Sequence, residues 1–427
     1  MTEAADKPTV ALVGTLDTKG AEYEWVAERL AAHGVGVLVL DAGIRPPIGL
    51  PAPLTPAAPP VVIGQDEVAA AAGTSIAALS DGNDRGVAVT AMGEGAAAVL
   101  GPLVARGAVH GVLALGGSGG SSIAARAVRD LPIGLPKLIV STMAAGDVSP
   151  YVGAADVTMM YSVVDIAGIN QISRAILGNA AAGIAGMATA YARRSPVADD
   201  RPLIAASMFG VTTPAVEAAR ARLEELGYEV LVFHATGSGG RALEGLARSG
   251  LLAGVLDLTT TELADDLVGG VLTAGPDRLT AAGAAGIPQV VSLGAVDMVN
   301  FGPAETVPPK FADRQFFVHN PTVTLMRTTP EENAELGRRI GGKLANAAGR
   351  TVLAVPRGGV SALDAPGMPF QHPEASAVLF EAALAAVAAS GVEVVDSPLH
   401  INDPQFAVVA ADRLHALIAA RHPAAVS

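Results

Sequence analysis

The sequence predicts an α/β protein of two Rossmann-like domains, each a mostly parallel sheet flanked by helices. Three observations carry that expectation. Short Val/Ile/Leu runs recur, each followed by a glycine-bearing turn and an alanine-rich stretch of helical length, the pattern of βα units on a sheet buried from both faces. At 427 residues the chain is too long for one average domain. Half of it is hydrophobic and 16% is charged, which suits packed cores better than a disordered chain.

In the first series, strands are expected at Thr9 to Val13, Gly36 to Leu40, Gly111 to Leu115 and Lys137 to Ser141. The proline-rich stretch Asp41 to Pro60 reads as an excursion between elements. Ala175 to Ala192, AILGNAAAGIAGMATAYA, is uncharged and long enough to span a bilayer. Its alanines, glycines, Asn179 and Thr189 leave it only weakly apolar, so a buried helix is expected, its small residues allowing close approach within a domain or at a dimer contact. The polar, proline-flanked RRSPVADDRP, Arg193 to Pro202, marks a boundary. It separates an N-terminal nucleotide-binding α/β domain, residues 1–197, from a C-terminal Rossmann-like domain, residues 198–427. In the second series strands are expected at Leu203 to Ser207, Glu229 to Phe233, Gly254 to Leu258, Gln289 to Leu293, Thr351 to Val355 and Val392 to Val395. Pro214 to Leu226 and Pro330 to Ala347 read as helices between them. VLALGGSGGSS and VLVFHATGSGGRAL each place GSGG between a strand and a helix, an echo too common in α/β proteins to establish duplication.

Composition excludes some partners. A net charge of −13 leaves no basic stripe, and aromatic residues make up only 4%, so nucleic acid is not expected as a direct ligand. Without cysteine there is no disulfide framework and no thiolate metal site, which fits a reducing compartment. The polar start MTEAADKPTV is unlike a signal peptide, and a cytoplasmic location is expected, with no membrane partner.

The turn GGSGGSS, Gly116 to Ser122, carries the first chemistry. Backbone N–H groups of a glycine-rich turn before a helix can hold an anion without a basic residue, helped by the positive helix end. Gly117, Gly119 and Gly120 keep the approach open, and Ser118, Ser121 and Ser122 offer hydroxyl donors. A plain tight corner is the alternative. No Walker A lysine stands here, and Ser122 occupies the last glycine position of GxGxxG. The literal GxxxxGK at Gly337 to Lys343 lies in a helical pattern and reads as a decoy. Gly116, Ser118 and Gly120 also satisfy GxSxG, which would make Ser118 a nucleophile, although no HGGG-type oxyanion segment precedes it.

A second stretch, VGTLDTKGAE, follows the first strand. Between Gly14 and Gly20, Lys19 offers charge for a phosphate, Asp17 could reach magnesium directly or through water, and Thr15 and Thr18 offer hydroxyls. A polar helix cap by Asp17 or Thr18 is the compatible alternative. In the turn-rich Ser141 to Asn170, Asp147, Tyr151, Asp156 and Asp165 could recognise a base or ribose, or could satisfy their own loop. In the second half, His234, Arg241 and His319 lie at strand ends or glycine turns, where Arg241 would suit an anionic substrate. No HExxH or comparable metal cluster occurs.

Taken in order, VGTLDTKGAEYEW, ALGGSGGSSIAARAV, STMAAGDVSPYVGAADVTMMYSVVDIAGIN, FGVTTPAVEAARARLEELGYEVLVFHATGSGGRALE and HNPTVTLMRTTPEENAELG resemble the ATP-binding domain family named after the tomato mosaic virus resistance protein. The resemblance spans nearly the whole chain. It implies two Rossmann-like subdomains, ATP with Mg2+ bound in the N-terminal one, and homodimerisation. It further implies that Gly14 to Gly20 and Gly116 to Ser122 form the phosphate side, with Ser141, Thr142 and Met143 nearby. The antiviral role of the plant member, which carries a further C-terminal barrel, is not expected of a chain ending at Ser427.

The expected function is thus ATP·Mg binding, with a second small molecule in a cleft between the domains facing His234 to Arg241 and His319. If catalytic, the protein would be a phosphoryl-transfer or ligase-like enzyme acting on a small anionic metabolite. A non-catalytic, nucleotide-responsive regulatory dimer and a serine hydrolase using Ser118 are the alternatives.

Overall fold

A computed structural model describes residues 7–49, 61–194 and 201–421. Residues 50–60 of the proline-rich excursion, residues 195–200 of the boundary stretch and the first six residues of the polar start lie outside the described residues. The chain divides into two units, Met1–Val197 and Ala198–Ser427.

The N-terminal unit runs β1 (Thr9–Gly14), α1 (Leu16–Ala32), β2 (Gly36–Asp41), β3 (Val61–Ile63), α2 (Gln65–Ala71), α3 (Ile76–Asp81), α4 (Arg85–Ala105), β4 (Gly111–Gly116), α5 (Ser118–Val128), β5 (Lys137–Ser141), α6 (Ser149–Val152), β6 (Thr158–Tyr161) and α7 (Gln171–Ala192). The strands form one parallel sheet in the order β3-β2-β1-β4-β5-β6. Its central strands are apolar throughout because both faces are covered. Ala11, Val13, Val112, Ala114 and Ile139 enter a core beneath α4 and α5, whereas Val10, Leu12, Leu113, Leu115, Leu138 and Val140 enter one beneath α1 and α7. This period of two through consecutive strands is what the sequence pattern expressed.

The C-terminal unit runs β7 (Leu203–Met208), α8 (Thr213–Glu225), β8 (Glu229–His234), α9 (Ser238–Arg248), β9 (Leu252–Thr259), α10 (Glu262–Val268), α11 (Ala281–Ala284), β10 (Gln289–Gly294), β11 (Met298–Phe301), β12 (Phe316–Asn320), β13 (Val323–Arg327), α12 (Pro330–Ala345), β14 (Thr351–Pro356), α13 (Pro373–Val387), β15 (Glu393–Ser397) and α14 (Pro404–Arg421). Six strands form a parallel sheet, β15-β14-β10-β9-β7-β8, and β11-β13-β12 form a small antiparallel one. The expectation of two α/β domains with mostly parallel sheets is borne out, and each expected strand is present to within a few residues.

Five strands were not expected. β3 is three residues long and exposed at a sheet edge, and β6, TMMY, has no apolar alternation to separate it from the turns around it. β11, β12 and β13 form a hairpin layer, short pieces beside glycine and proline turns that read as loop. The GxxxxGK stretch lies inside α12, where Lys343 donates to the carbonyl of Pro276, so it is no phosphate loop. α4 and α7 are long and apolar enough to cross a membrane. Each nevertheless buries a face in its sheet: α7 does so through Leu177, Ala180, Ala181, Ile184 and Ala188.

Candidate functional site

In the N-terminal sheet β1 leads outward to β2 and β3, and chain order then resumes on the other side of β1 with β4, β5 and β6. The crevice at the carboxyl ends of β1 and β4 is therefore a topological switch point, where open α/β sheets receive ligands. The two strands pair only from Val10 to Val13 and Gly111 to Ala114. Beyond that the buried hydroxyl of Tyr23 bridges them, donating to the Val13 carbonyl at 2.6 Å and accepting from the Leu115 N–H at 2.8 Å. That hydroxyl stands where a Cβ on Gly14 would be, which is why Gly14 carries none. Burial raises the Tyr23 phenol far above its ordinary range, so it remains a neutral bridge.

Of the two turns at this crevice, the one after β1 is closed by the protein itself. Asp41, at the end of β2, accepts from the N–H groups of Leu16 and Gly43 through one oxygen, and its burial raises its pKa against the pull of those bonds. The carbonyl of Ile48 lies against Gly20, and the Ile48 N–H donates to Leu16. Thr15 and Thr18 share a hydrogen bond of 2.8 Å, and Lys19 reaches the carbonyl of Ile166. Asp17 uses one oxygen to accept from Ile44 and Arg45, while its other oxygen is buried and has no partner among the described residues.

The turn after β4 is open. Gly117 is a cap without a side chain, and the N–H groups of Ser118, Gly119 and Gly120 meet no acceptor among the described residues. A Cβ on Gly116 would stand 2.8 Å from the Gly120 Cα, so glycine is needed for strand and helix to approach this closely. The three serines separate by role. Ser121 is buried and bonds Ser141 at 2.6 Å, tying the turn to β5, and Ser122 donates back to the Ser118 carbonyl. Only the Ser118 hydroxyl stays exposed and uncommitted.

One residue at this turn was missed in the sequence. Arg85, the first residue of α4, has a guanidinium nitrogen 3.3 Å from the place a Cβ on Gly119 would take. It is exposed and has no carboxylate partner among the described residues. A cation in the first turn of a helix opposes the helix dipole, and here the Asp84 carboxylate caps the same turn through the N–H groups of Gly86 and Val87. A basic residue directly after an N-cap aspartate was the signal available in DGNDRG.

Next to Gly117 stands Thr142, its hydroxyl 3.6 Å from the glycine's Cβ direction, followed by Met143, which is 40% exposed. Thr142 also lines a hollow of about 350 Å³ with Tyr161, Ser162, Val163, Val164 and Asp165. Four residues of the 141–170 segment were candidates for contact with a base or ribose. Asp147 accepts from the Ser149 N–H in its own loop, and Asp156 holds Lys137 and the Gly134 N–H. Tyr151 lies on short α6, away from the hollow's lining, which leaves Asp165.

The C-terminal unit resolves the echo of GSGG. There the N–H groups of Gly237 and Gly240 donate to a single oxygen of Glu262, at 2.6 and 3.0 Å. Glu262 is fully buried, and its other oxygen accepts from Arg278, which also pairs with Asp257 and Glu244. The anionic substrate expected beside Arg241 thus finds this turn already filled. Arg241 itself donates to the Thr273 carbonyl. His234 ends β8 with its ring against Phe209, and His319 sits exposed on β12 beside Phe317. No hydrogen bond among the described residues joins His234, Arg241 and His319. Elsewhere in this unit, burial pushes Asp265 and Asp297 up to about 7, in the first against three hydrogen bonds and in the second against the pull of Arg327.

No group of three or more histidine, aspartate or glutamate side chains able to hold a metal occurs among the described residues. Magnesium characteristically takes one or two carboxylates together with substrate phosphates and water. Asp17 offers one carboxylate oxygen without a partner among the described residues for that pattern, but the oxygen is buried beside Gly43, so a cation would reach it only with movement of the turn.

Two family profiles match the chain. Residues 8–193 match the N-terminal domain, and residues 201–418 the C-terminal domain, of what is described as uncharacterised protein family UPF0261. A UPF0261 protein of Clostridium tetani is 49% identical over 405 residues, covering 95% of this chain and 98% of that one. The tomato protein described as ToMV susceptible protein tm-1(GCR26) is 40% identical over 421 residues, covering 95% of this chain but 55% of its own length. The ToMV resistance protein Tm-1(GCR237) of tomato is 48% identical over 301 residues, 70% of this chain and 40% of that one.

Proposed function

This chain belongs to the UPF0261 family, and we propose that its N-terminal unit binds a nucleoside polyphosphate, ATP with magnesium, at the carboxyl ends of β1, β4 and β5. One observation carries the reading: the first turn of α5 presents three N–H groups that have no acceptor among the described residues, beside the guanidinium of Arg85, which has no carboxylate partner among them. Oriented amides, a helix end and a fork of donors are what a terminal phosphate needs. The filled GSGG turn of the C-terminal unit supports it, since the same four residues there hold an anionic oxygen. Asp17 would hold the magnesium, which when bound neutralises phosphate charge. Lys19, committed to Ile166, contributes to the field of the site rather than to direct contact.

Calorimetry of the full chain with ATP and magnesium tests this. Arg85→Ala should weaken binding about tenfold, as for loss of a hydrogen bond to a charged group. Absence of magnesium-dependent binding at millimolar ATP would sink the proposal.

If the protein turns over, the chemistry is phosphoryl transfer or ligation onto a small anionic metabolite, read as ADP or AMP formation across a metabolite panel. A nucleotide-responsive homodimer without turnover is the second reading, favoured by the outer face of α7. There Ala175, Asn179, Ala182, Gly186 and Ala190 lie exposed on a long helix, small enough for a second copy to approach closely. Sedimentation with and without ATP separates the two. A cytoplasmic location fits either.

The serine hydrolase has less support. A nucleophile elbow holds its serine on a sharp, strained turn, but Ser118 is not among the positive-φ residues. The histidines described in its unit, His33 and His110, precede β2 and β4 and so lie at the opposite end of the sheet.

A further inference from the structure

The glycine turn accounts for the phosphates of a nucleotide and leaves open where its other half goes. In sheets with this strand order, the first βα turn ordinarily takes the pyrophosphate, and an acidic residue near the end of the second strand takes the ribose. Here that side is closed. Asp41 stands at the end of β2 but is 3% exposed and spends an oxygen on Leu16 and Gly43. The backbone of Ile48 packs on Leu16 and Gly20, over the start of α1.

The other side is open. The hollow of about 350 Å³ beyond β5 and β6 falls in the range of small-molecule sites. It meets the glycine turn through Thr142, which faces Gly117. Its lining is mixed, and the apolar part is presented by Tyr161, 43% exposed, and Val163, 60% exposed. Val163 also has φ of +62°, an unfavourable backbone for a β-branched residue, inside a tight turn closed by the Val164 N–H on the Ser162 carbonyl at 2.7 Å. Asp165 lines the same hollow, exposed and without a hydrogen-bond partner among the described residues. An exposed aromatic ring with one free carboxylate in the same hollow matches a flat base joined to a pair of hydroxyl donors.

We infer that the nucleoside of the bound nucleotide lies in the hollow lined by Thr142 and Tyr161 to Asp165, with its base against Tyr161 and its ribose diol on Asp165. The ligand then runs from α5 toward β6, opposite in direction to a dinucleotide on a sheet of the same order. This assignment rests on the reading of the glycine turn as a phosphate site.

The test titrates the full chain, wild type, Tyr161→Ala and Asp165→Asn, with the magnesium complexes of ATP, 2′-deoxy-ATP and inorganic tripolyphosphate. Both side chains are exposed, so neither change should disturb folding. Tyr161→Ala should weaken ATP about tenfold, as for loss of a base-stacking aromatic, and leave tripolyphosphate unchanged. Asp165→Asn should remove the preference for ATP over 2′-deoxy-ATP, again without effect on tripolyphosphate. If tripolyphosphate binds but both variants keep wild-type affinity for ATP, the hollow is not the nucleoside site, while the phosphate reading stands. Failure of the wild type to bind either ATP or tripolyphosphate overturns both.

Discussion

Gly116 and Gly119, in the turn after β4, answer to different constraints, and substitution should separate them. Gly116→Ala puts a methyl 2.8 Å from the Gly120 backbone and should destabilise the N-terminal unit by about 1–3 kcal/mol in urea unfolding. Gly119→Leu meets only the end of Arg85 and the side chain of Val89, so the fold should persist while ATP binding is lost in the same calorimetric assay. Asp265 offers a prediction in pH. Burial raises its pKa from 3.8 to about 7, so between these values the folded state holds a proton that the unfolded state has released. Its contribution to stability is therefore greatest below about pH 4 and is lost as pH rises to about 7. Asp265→Asn, which keeps the shape without the charge, should flatten that slope relative to wild type and be more stable than wild type at pH 7. The unpartnered oxygen of Asn300, whose amide group now donates to Asp265, can accept from the new amide once its own side chain turns over. Urea midpoints across pH 4 to 8 would show it; parallel curves for the two proteins would refute it.

At the level of elements, what the sequence expressed was the continuous apolar run of the central parallel strands. Strands β1, β4, β5, β7, β9, β10 and β14 are apolar on both faces and were recognisable as such, whereas β3, β6 and β12 are largely exposed, and β11 and β13, though buried, are short pieces that carry Asn300, Thr324 and Arg327 among their apolar residues. The two glycine turns were equally visible, but their difference was not. GSGG reads the same in both units, and only the fold brings Glu262, from the start of α10, to the start of α9. Tyr23 and Arg85 were overlooked for the same reason, since each acts on a residue distant in sequence, Leu115 in one case and Gly119 in the other. Removing the α10 carboxylate that caps α9 is therefore an informative experiment. Glu262→Ala leaves a buried guanidinium short of a partner and a helix end uncapped, and should cost about 3–5 kcal/mol in urea unfolding. Added formate should recover part of the loss if the turn takes anions as proposed.

On the scale of the whole molecule, each unit has a complete parallel sheet and cores of its own. Residues 1–197 expressed alone should fold, by circular dichroism, and bind ATP·Mg as tightly as the full chain; a large loss of affinity would mean that the C-terminal unit contributes to the site. The two sheets carry different strand orders, so the shared GSGG is set into different frames. Gly117 has φ of −81° and Gly237 has φ of +82°, two ways of turning into a helix with the same four letters. Glu262 is in effect a ligand tethered to its receptor, present at an effective concentration that a dissolved anion does not reach. The second turn is a saturated counterpart of the first, and no change in cellular metabolites will empty it. If the two halves of this chain share one anion-holding device, only the N-terminal copy is free to respond to supply.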